Sequence, residues 1–260
     1  MIPRKIHYCW FGRNPLPEEA MKCITSWRKF LPDYEIIQWN EDNFDVSAVQ
    51  YTAQAYDAKK YAFVSDYARF KILYEHGGLY FDTDVEIIRP LDDIIANGAF
   101  MGIEKSLATS GGGGWIGVNA GLGLGAERGM PIYKKILEFY NCRSFLNETS
   151  TVVTNVTQLL ALEGLQNQNE MQSVEGITIY PAEYFCPMDS ITGIIEVAPS
   201  TVSIHHYSCS WIDHKSLGYR LYVIKKKLIK VFGAKLIMKV ASIFSRSSIT
   251  QKSDVNEIKK

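Results

Sequence analysis

The sequence predicts an α/β fold with a mostly parallel central sheet. Short apolar runs rich in β-branched and aromatic residues alternate with segments whose apolar residues recur at the helical period. The predicted strands are residues 4–11, 34–39 and 79–88, and the predicted helices between them are residues 17–31 and 61–76. This alternation is typical of parallel strands covered by helices.

The two helices are predicted from the spacing of their apolar side chains. The first contains Ala20, Ile24, Trp27 and Leu31, and the second contains Phe63, Tyr67, Phe70, Leu73 and Tyr74. Pro32 and Gly77 end them, because proline cannot continue a helix and glycine commonly follows a helix end.

The second half of the chain is less regular. Further helices are predicted at 131–140 and 151–164, and further strands at 177–180 and 201–207. The glycine-rich stretch 110–125 predicts a loop over a site, either mobile or closely packed, with a poorly ordered loop as the alternative.

Charge divides the chain into two regions. Residues 1–213 contain 16 basic and 26 acidic residues, whereas residues 214–253 contain 10 basic and no acidic ones, within a net charge of zero. The acidic main part argues against nucleic-acid binding. No apolar run is long enough for a membrane-spanning helix, and the N-terminus does not resemble a signal peptide.

The basic region has an apolar stripe at helical spacing over residues 219–244. We therefore predict a main domain at 1–213, a basic amphipathic helical segment at 214–250 and a flexible tail at 251–260. A helix of this kind suits an anionic membrane surface, and docking on the main domain is the alternative.

Asp82 and Asp84 are the strongest candidates for chemistry. They follow the apolar residues of a predicted strand, on which side chains two apart point to the same side. Paired carboxylates there can share one Mn²⁺ or Mg²⁺ ion, since these ions prefer oxygen ligands. Ligands bind at the carboxyl ends of strands in open α/β sheets.

Three other groups add to this pattern. Asp66 and Arg69 share one face of the second helix, where they form either a surface ion pair or a partly buried couple for sugar and phosphate. His205 and His206 follow a strand, so only one of the two rings is expected to meet a metal ion. Trp10, at the end of the first strand, is either a core residue or a stacking surface for a base.

Four motifs occur in order: IPRKIHYCWFG, SWRKFLPDYEIIQWNEDNFD, YAFVSDYARFKILYEHGGLYFDTDVEII and SIHHYSCSW. Together they resemble glycosyltransferase family 32, with the bacterial capsular polysaccharide enzymes closest. Fungal initiating α-1,6-mannosyltransferases belong to the same family, and the sugar-transferring domain of the large clostridial toxins is more distant.

The resemblance implies a GT-A-like, Rossmann-like domain and assigns roles to individual residues. Asp82, Asp84, Arg69 and Trp211 would be catalytic, and Asp84, Asp82 and His206 would hold the metal ion. The donor would be bound by Trp10, Asp66, Arg69, Tyr80, Asp82, Ser210 and Trp211. Asn155 and its neighbours differ from the Thr-Gly-Pro of many members, so neither it nor Asn119 receives an acceptor role.

The function expected from the resemblance is retaining, metal-dependent transfer of a hexose. The donor would be a nucleoside-diphosphate sugar, with UDP the expected nucleotide, and the acceptor a lipid-linked glycan of bacterial capsule or O-antigen synthesis. The expected location is the inner face of the bacterial cytoplasmic membrane. The alternatives are a metal-dependent phosphohydrolase, a non-catalytic sugar-nucleotide-binding or scaffold protein of a polysaccharide assembly complex, and a toxin-like protein glycosyltransferase.

Overall fold

The computed structural model describes residues 1–105, 114–148, 150–190, 192–208 and 223–224 of the 260-residue chain. The chain divides into two units, and the fold described below is that of the larger one, which comprises the described residues of Met1–Asp189 and Ile195–Trp211. The predicted basic segment at 214–250 falls almost wholly outside the described residues, and so does the tail at 251–260. Within the described part, no helix has both the length and the apolar character needed to cross a membrane.

The described residues form ten strands and seven α-helices. The strands are β1 Lys5–Cys9, β2 Glu35–Trp39, β3 Gly78–Tyr80, β4 Val85–Ile87, β5 Phe100–Ile103, β6 Val118–Asn119, β7 Leu124–Ala126, β8 Gln172–Val174, β9 Ile177–Tyr180 and β10 Ser203–His205. The helices are α1 Glu18–Phe30, α2 Gln50–Asp57, α3 Tyr61–His76, α4 Asp92–Ala96, α5 Pro131–Asn141, α6 Val152–Leu162 and α7 Ala182–Phe185.

The central sheet has eight strands in the order β2-β1-β3-β7-β5-β9-β8, with β6 also paired to β5. Strands β1, β2 and β3 pair in parallel, and so do β5 and β9. Strand β7 pairs antiparallel with both β3 and β5, which makes β5 and β9 run in the direction of β1. Five of the eight strands therefore share one direction, and the predicted α/β fold class with a mostly parallel sheet is confirmed.

Each face of the sheet is covered by its own apolar core, as the alternation of β3 shows. Leu79 and Phe81 belong to a core with Trp27 of α1, whereas Tyr80 belongs to a core with α2, α3, α5 and α6. Successive side chains of a strand point to opposite faces, so a strand with helices on both sides is apolar throughout. This explains why the consecutive residues Leu79, Tyr80 and Phe81 are all buried.

The predicted single strand at 79–88 is wrong in one respect that matters for the site. The chain leaves β3 at Tyr80, turns at residues 83–84, and begins β4 at Val85 in a different, two-stranded sheet with β10. The backbone amide of Val85 donates to the Asp82 carbonyl across this turn (3.0 Å). A turn, not strand alternation, therefore sets the relative positions of Asp82 and Asp84.

The glycine-rich stretch also differs from the expected loop. Its described part, residues 114–125, includes β6 and the first two residues of β7, and residues 118–126 are buried. Gly125 has its place in the sheet because a Cβ there would lie 2.3 Å from the ring of Phe100. The glycines serve close packing of β7 between β3 and β5, which is one of the two alternatives that the composition left open.

Candidate active site

The candidate site lies at the edge of the sheet where the parallel strands end. Trp10 follows β1 directly, Asp82 is the second residue after β3, and Glu104 follows β5 directly. Because β1, β3 and β5 run in the same direction, these three residues emerge at the same edge. Carboxyl ends of parallel strands are where open α/β sheets bind ligands.

Asp84 is held on several sides. Its Oδ2 accepts hydrogen bonds from the backbone amide of Ser208 (2.8 Å) and from the Ser208 hydroxyl (3.0 Å). Its Oδ1 lies 3.1 Å from Nε2 of His205. The segment after β10 is anchored in return, since the amide of His206 donates to the Asp84 carbonyl (2.9 Å).

His205 is the histidine that meets the carboxylates, and the prediction of His206 as the metal ligand is wrong in this structure. The His205 side chain is 9% exposed, whereas Nε2 of His206 lies 2.9 Å from Glu86 Oε2 with 39% of its side chain exposed. Successive residues of an extended segment face opposite ways, so the two rings cannot both reach the site. That only one of the two rings meets a metal ion stays a prediction.

The charged forms of Asp84 and His205 stabilise each other. Burial alone would raise the pKa of the Asp84 carboxyl, but the facing imidazole and the hydrogen bonds from His205 and Ser208 bring it below its usual range. Burial alone would lower the pKa of His205, but Asp84 opposes this and raises it. The ring of Tyr207 packs edge-on against His205 at 4.3 Å between centroids, which limits the rotation of the imidazole.

Asp82, Asp84 and His205 fit a divalent cation. Each offers one ligand atom, and these atoms all lie within 4.8 Å of one another. Nδ1 of His205 is buried and has no hydrogen-bond partner among the described residues, so one nitrogen of this ring is uncommitted. Two carboxylate oxygens and one imidazole nitrogen form a mixed donor set that leaves further positions for phosphate oxygens or water.

Arg69 links Asp82 to the helix behind it. The guanidinium of this buried residue of α3 donates from Nη2 to Asp66 Oδ1 (3.0 Å) and from Nη1 to Asp82 Oδ2 (3.4 Å). Its Nε donates to the carbonyl of Ser65 (3.0 Å), which fixes the orientation of the guanidinium. The sequence left open a surface ion pair, but Asp66 and Arg69 are 7% and 3% exposed, so the couple is buried.

Tyr80 stands behind the site. It is 1% exposed, and its hydroxyl donates to Asp82 Oδ1 (3.0 Å), so it positions Asp82, while its predicted contact with a donor stays a prediction. The Arg69 guanidinium stacks over the same ring at 5.0 Å. Asp82 is therefore oriented by both neighbours.

Burial dominates the ionisation of the acids around Arg69. It raises the pKa of Asp66 to about 7, with Asp82 and Glu148 adding to the rise and Arg69 opposing it. It also raises the pKa of Asp82, to which the Asp84 charge contributes and which Arg69 again opposes. The guanidinium is thus the main group that opposes protonation of these carboxylates in a site of low polarity.

Sequence reasoning missed two residues that complete the site, Gly121 and Glu104. The carbonyl of Gly121 accepts from the Asp82 amide (3.3 Å), and Asn119 Oδ1 accepts from the Gly121 amide (2.7 Å). Asn119 Nδ2 donates in turn to Glu104 Oε2 (3.0 Å). Glu104 directly follows the apolar run FMGI, just as Asp82 directly follows the apolar run LYF. This similarity is the sequence signal that could have identified Glu104.

Gly121→Ala is expected to disable the site without unfolding the protein. A Cβ at this position would lie 2.3 Å from Asp82 Oδ2. Because the clash is with the end of a side chain and not with backbone, the Asp82 carboxylate can move aside and the fold can be kept. We expect the affinity for Mn²⁺ to fall at least about tenfold, as is typical when support of a ligand is lost. The measurement is Mn²⁺ titration by calorimetry. Gly176→Ala, which has open space around its Cβ but strained backbone, controls for a general loss of stability.

The remaining predicted site residues stay predictions. Trp10 is partly buried at the expected edge and donates from Nε1 to the carbonyl of Asn14 (2.7 Å). Ser210 and Trp211 lie outside the described residues. Asn155, at the start of α6, is 2% exposed and accepts a hydrogen bond from Ser150 (2.6 Å).

The residues that form this site fall largely in one known sequence region. Residues 17–101, which include Asp66, Arg69, Asp82 and Asp84, match the family described as "Glycosyltransferase sugar-binding region containing DXD motif". The resemblance stated from the sequence motifs is thereby confirmed.

Individual relatives agree with this family. The chain is 29% identical over 111 residues to inositol phosphoceramide mannosyltransferase 1 of Schizosaccharomyces pombe, covering 38% of this chain and 33% of the relative. It is 26% identical over 199 residues to the uncharacterized glycosyltransferase L373 of Acanthamoeba polyphaga mimivirus, covering 72% and 74%. Both names agree with the predicted enzyme class, a glycosyltransferase, although the match spans only a third of the yeast protein.

Among solved structures, the PaToxG glycosyltransferase superposes with a TM-score of 0.47 at 20% identity, covering 63% of this chain and 70% of that one.

Proposed function

We propose that this chain is a metal-dependent glycosyltransferase that moves a sugar from a nucleoside-diphosphate donor to a hydroxyl of a glycan. The observation that carries the proposal is the convergence of Asp82, Asp84 and His205 beside the buried Asp66–Arg69 couple. A phosphate-bearing ligand needs positive charge at its diphosphate, and a sugar needs hydrogen-bonding groups beside it. This edge of the sheet offers residues for both.

Asp82, Asp84 and His205 would hold the cation, which when bound would neutralise the charge that develops on the leaving diphosphate. Mn²⁺ suits an imidazole ligand better than Mg²⁺ does, so Mn²⁺ is the proposed ion. Arg69 keeps Asp82 ionised and oriented. Asp66, on the other side of the guanidinium, would accept hydrogen bonds from sugar hydroxyls.

Retention of configuration is the proposed stereochemical outcome. A double-displacement reaction needs a carboxylate free to attack the sugar, but Asp82 and Asp66 are engaged by Arg69, and Glu104 is engaged by Asn119. The arrangement favours attack by the acceptor hydroxyl from the side of the leaving group, with a diphosphate oxygen of the donor taking the proton of that hydroxyl.

The proposed donor, acceptor and membrane attachment depend on the resemblance and on residues that the structure does not describe. A UDP-hexose donor and an acceptor glycan of bacterial capsule or O-antigen synthesis follow from the bacterial resemblance. The basic composition of residues 214–253 supports attachment to the inner face of an anionic membrane and a lipid-linked acceptor.

The test is release of nucleoside diphosphate from a panel of UDP- and GDP-sugars. We expect slow release from one donor in the presence of Mn²⁺ and none after chelation, because the diphosphate would then lack its counter-charge. Release of inorganic phosphate would instead indicate the phosphohydrolase. No release from any donor, together with no donor-induced shift in thermal unfolding, would indicate the scaffold alternative.

A further inference from the structure

A concave site lies near the metal cluster, between one face of α6 along its length and the segment that leads into β6. Its volume is about 620 Å³, within the range of about 300–1,000 Å³ that is usual for small-molecule sites. We name this cavity the α6 pocket. Its principal lining residues are Glu104, Trp115, Ile116, Val153, Ala161 and Leu162.

The α6 pocket presents mainly carbon to a ligand. Its aromatic and aliphatic side chains make up most of the wall, and two of them are unusually open for their size, Trp115 at 60% and Leu162 at 83% exposure. Besides Glu104, the polar side chains in the wall are those of Thr154, Thr157 and Gln158, and the hydroxyl of Thr157 is already engaged, because it accepts from the amide of Val118 (2.8 Å). Large apolar side chains exposed together around one concavity are typical of a binding site, whereas a single one is not.

Glu104 connects the α6 pocket to the metal cluster. One of its carboxylate oxygens accepts from Asn119, which holds Gly121, whose carbonyl accepts from the Asp82 amide. Glu104 is also close enough to His205 to contribute to the raised pKa of that imidazole. A ligand in the pocket would therefore lie against the same wall that supports the metal ligands.

We propose that the α6 pocket receives the hydrocarbon part of an amphipathic acceptor, whose sugar would then lie against the Asp82–Asp84–His205 cluster. This inference rests on the proposed function, since it assigns the acceptor of the same site. The apolar wall favours an alkyl or isoprenoid chain over a sugar ring, whose hydroxyls would find few hydrogen-bonding groups there. Glu104, at the junction, would accept a hydrogen bond from the acceptor sugar.

The first test compares n-octyl glycosides of glucose, galactose and N-acetylglucosamine with the corresponding methyl glycosides, using the donor that the panel identifies. Each methylene buried in the pocket is worth about a fourfold gain in affinity, so burial of two or more predicts at least about a tenfold preference in kcat/KM for the octyl compound. Equal use of octyl and methyl glycosides would overturn the proposal.

Variants locate the preference. Trp115→Ala removes the open wall and Ala161→Trp fills the cavity, so both are expected to bring the octyl-to-methyl ratio close to one. Trp115→Phe should keep most of the preference. Met171→Ala changes an apolar side chain that is 53% exposed and does not line the pocket, so it should leave the ratio as it is. A ratio unchanged in both pocket variants would place the octyl chain elsewhere and overturn the proposal.

Failure of the pocket and failure of the proposed function give different results. If the unsubstituted protein hydrolyses a donor with Mn²⁺ but shows no octyl preference, the pocket proposal fails and the glycosyltransferase stands. If no donor is hydrolysed, saturation-transfer NMR of n-octyl β-D-glucoside, below its micellar concentration, tests the pocket alone. Saturation of the alkyl protons that is lost in Ala161→Trp supports the pocket, and saturation confined to the sugar protons overturns it.

Discussion

Asp84→Asn is expected to lower metal-dependent turnover about a thousandfold, which is the order of effect seen when one group that stabilises developing charge is removed. Asparagine has nearly the shape of aspartate, and its carbonyl oxygen can still accept from the amide and hydroxyl of Ser208. What it lacks is the negative charge toward His205 and toward a cation. The change therefore removes the charged ligand proposed for the cation but keeps the hydrogen bonds from Ser208 that hold the segment after β10 in place.

Two measurements separate loss of the metal ion from loss of the fold. Without metal, the variant should unfold within a few degrees of the unsubstituted protein, because relief of repulsion with Asp82 offsets the lost ion pair with His205. Excess Mn²⁺ should raise the unfolding midpoint of the unsubstituted protein by mass action but not that of the variant. Asp92→Asn, the same change at an exposed position of α4, is the matched control. Turnover of Asp84→Asn within tenfold of the unsubstituted protein would show that the metal assignment is wrong.

Strands β1 and β2 and helices α1 and α3 were predictable from sequence because the patterns that define them are local. Apolar residues at the helical period place α1 and α3 within a residue or two of their observed bounds, and apolar runs place β1 and β2. The turn at residues 83–84 was not predictable, because Val85, Glu86 and Ile87 continue the β-pattern of LYF. Their pairing partner, β10, lies more than a hundred residues further along the chain.

The choice between His205 and His206 shows a second limit. Alternation predicts that one ring faces the site, but which one depends on the register of β10 against β4, where His205 lies opposite Val85. A shift of one residue would exchange the two rings. The role of Gly121 is likewise invisible in the sequence, since it follows from how closely the segment between β6 and β7 approaches Asp82.

Arg69→Met is expected to cause the largest loss of stability among the changes at this site, about 3–5 kcal/mol in the free energy of unfolding. Methionine preserves much of the side-chain volume but leaves Asp66 without its only cationic partner among the described residues and Asp82 without one of its two hydrogen-bond donors. Asp66 is 7% exposed, so water can replace the guanidinium only in part. The measurement is equilibrium unfolding in urea.

A second change decides whether unpaired charge is the cause. Above pH 7, Arg69→Met combined with Asp66→Asn should recover part of the loss, because the amide avoids the cost of either burying an unpaired carboxylate or protonating it. Lys22→Met, which breaks the exposed pair of Lys22 with Glu18 on α1, should cost no more than about 1 kcal/mol. If Arg69→Met lowered the free energy of unfolding as little as Lys22→Met does, burial would add nothing to the stabilisation that the Asp66–Arg69 pair provides. If the double variant were no more stable than the single one, the lost packing of Arg69 over Tyr80, and not the stranded charge of Asp66, would account for the effect.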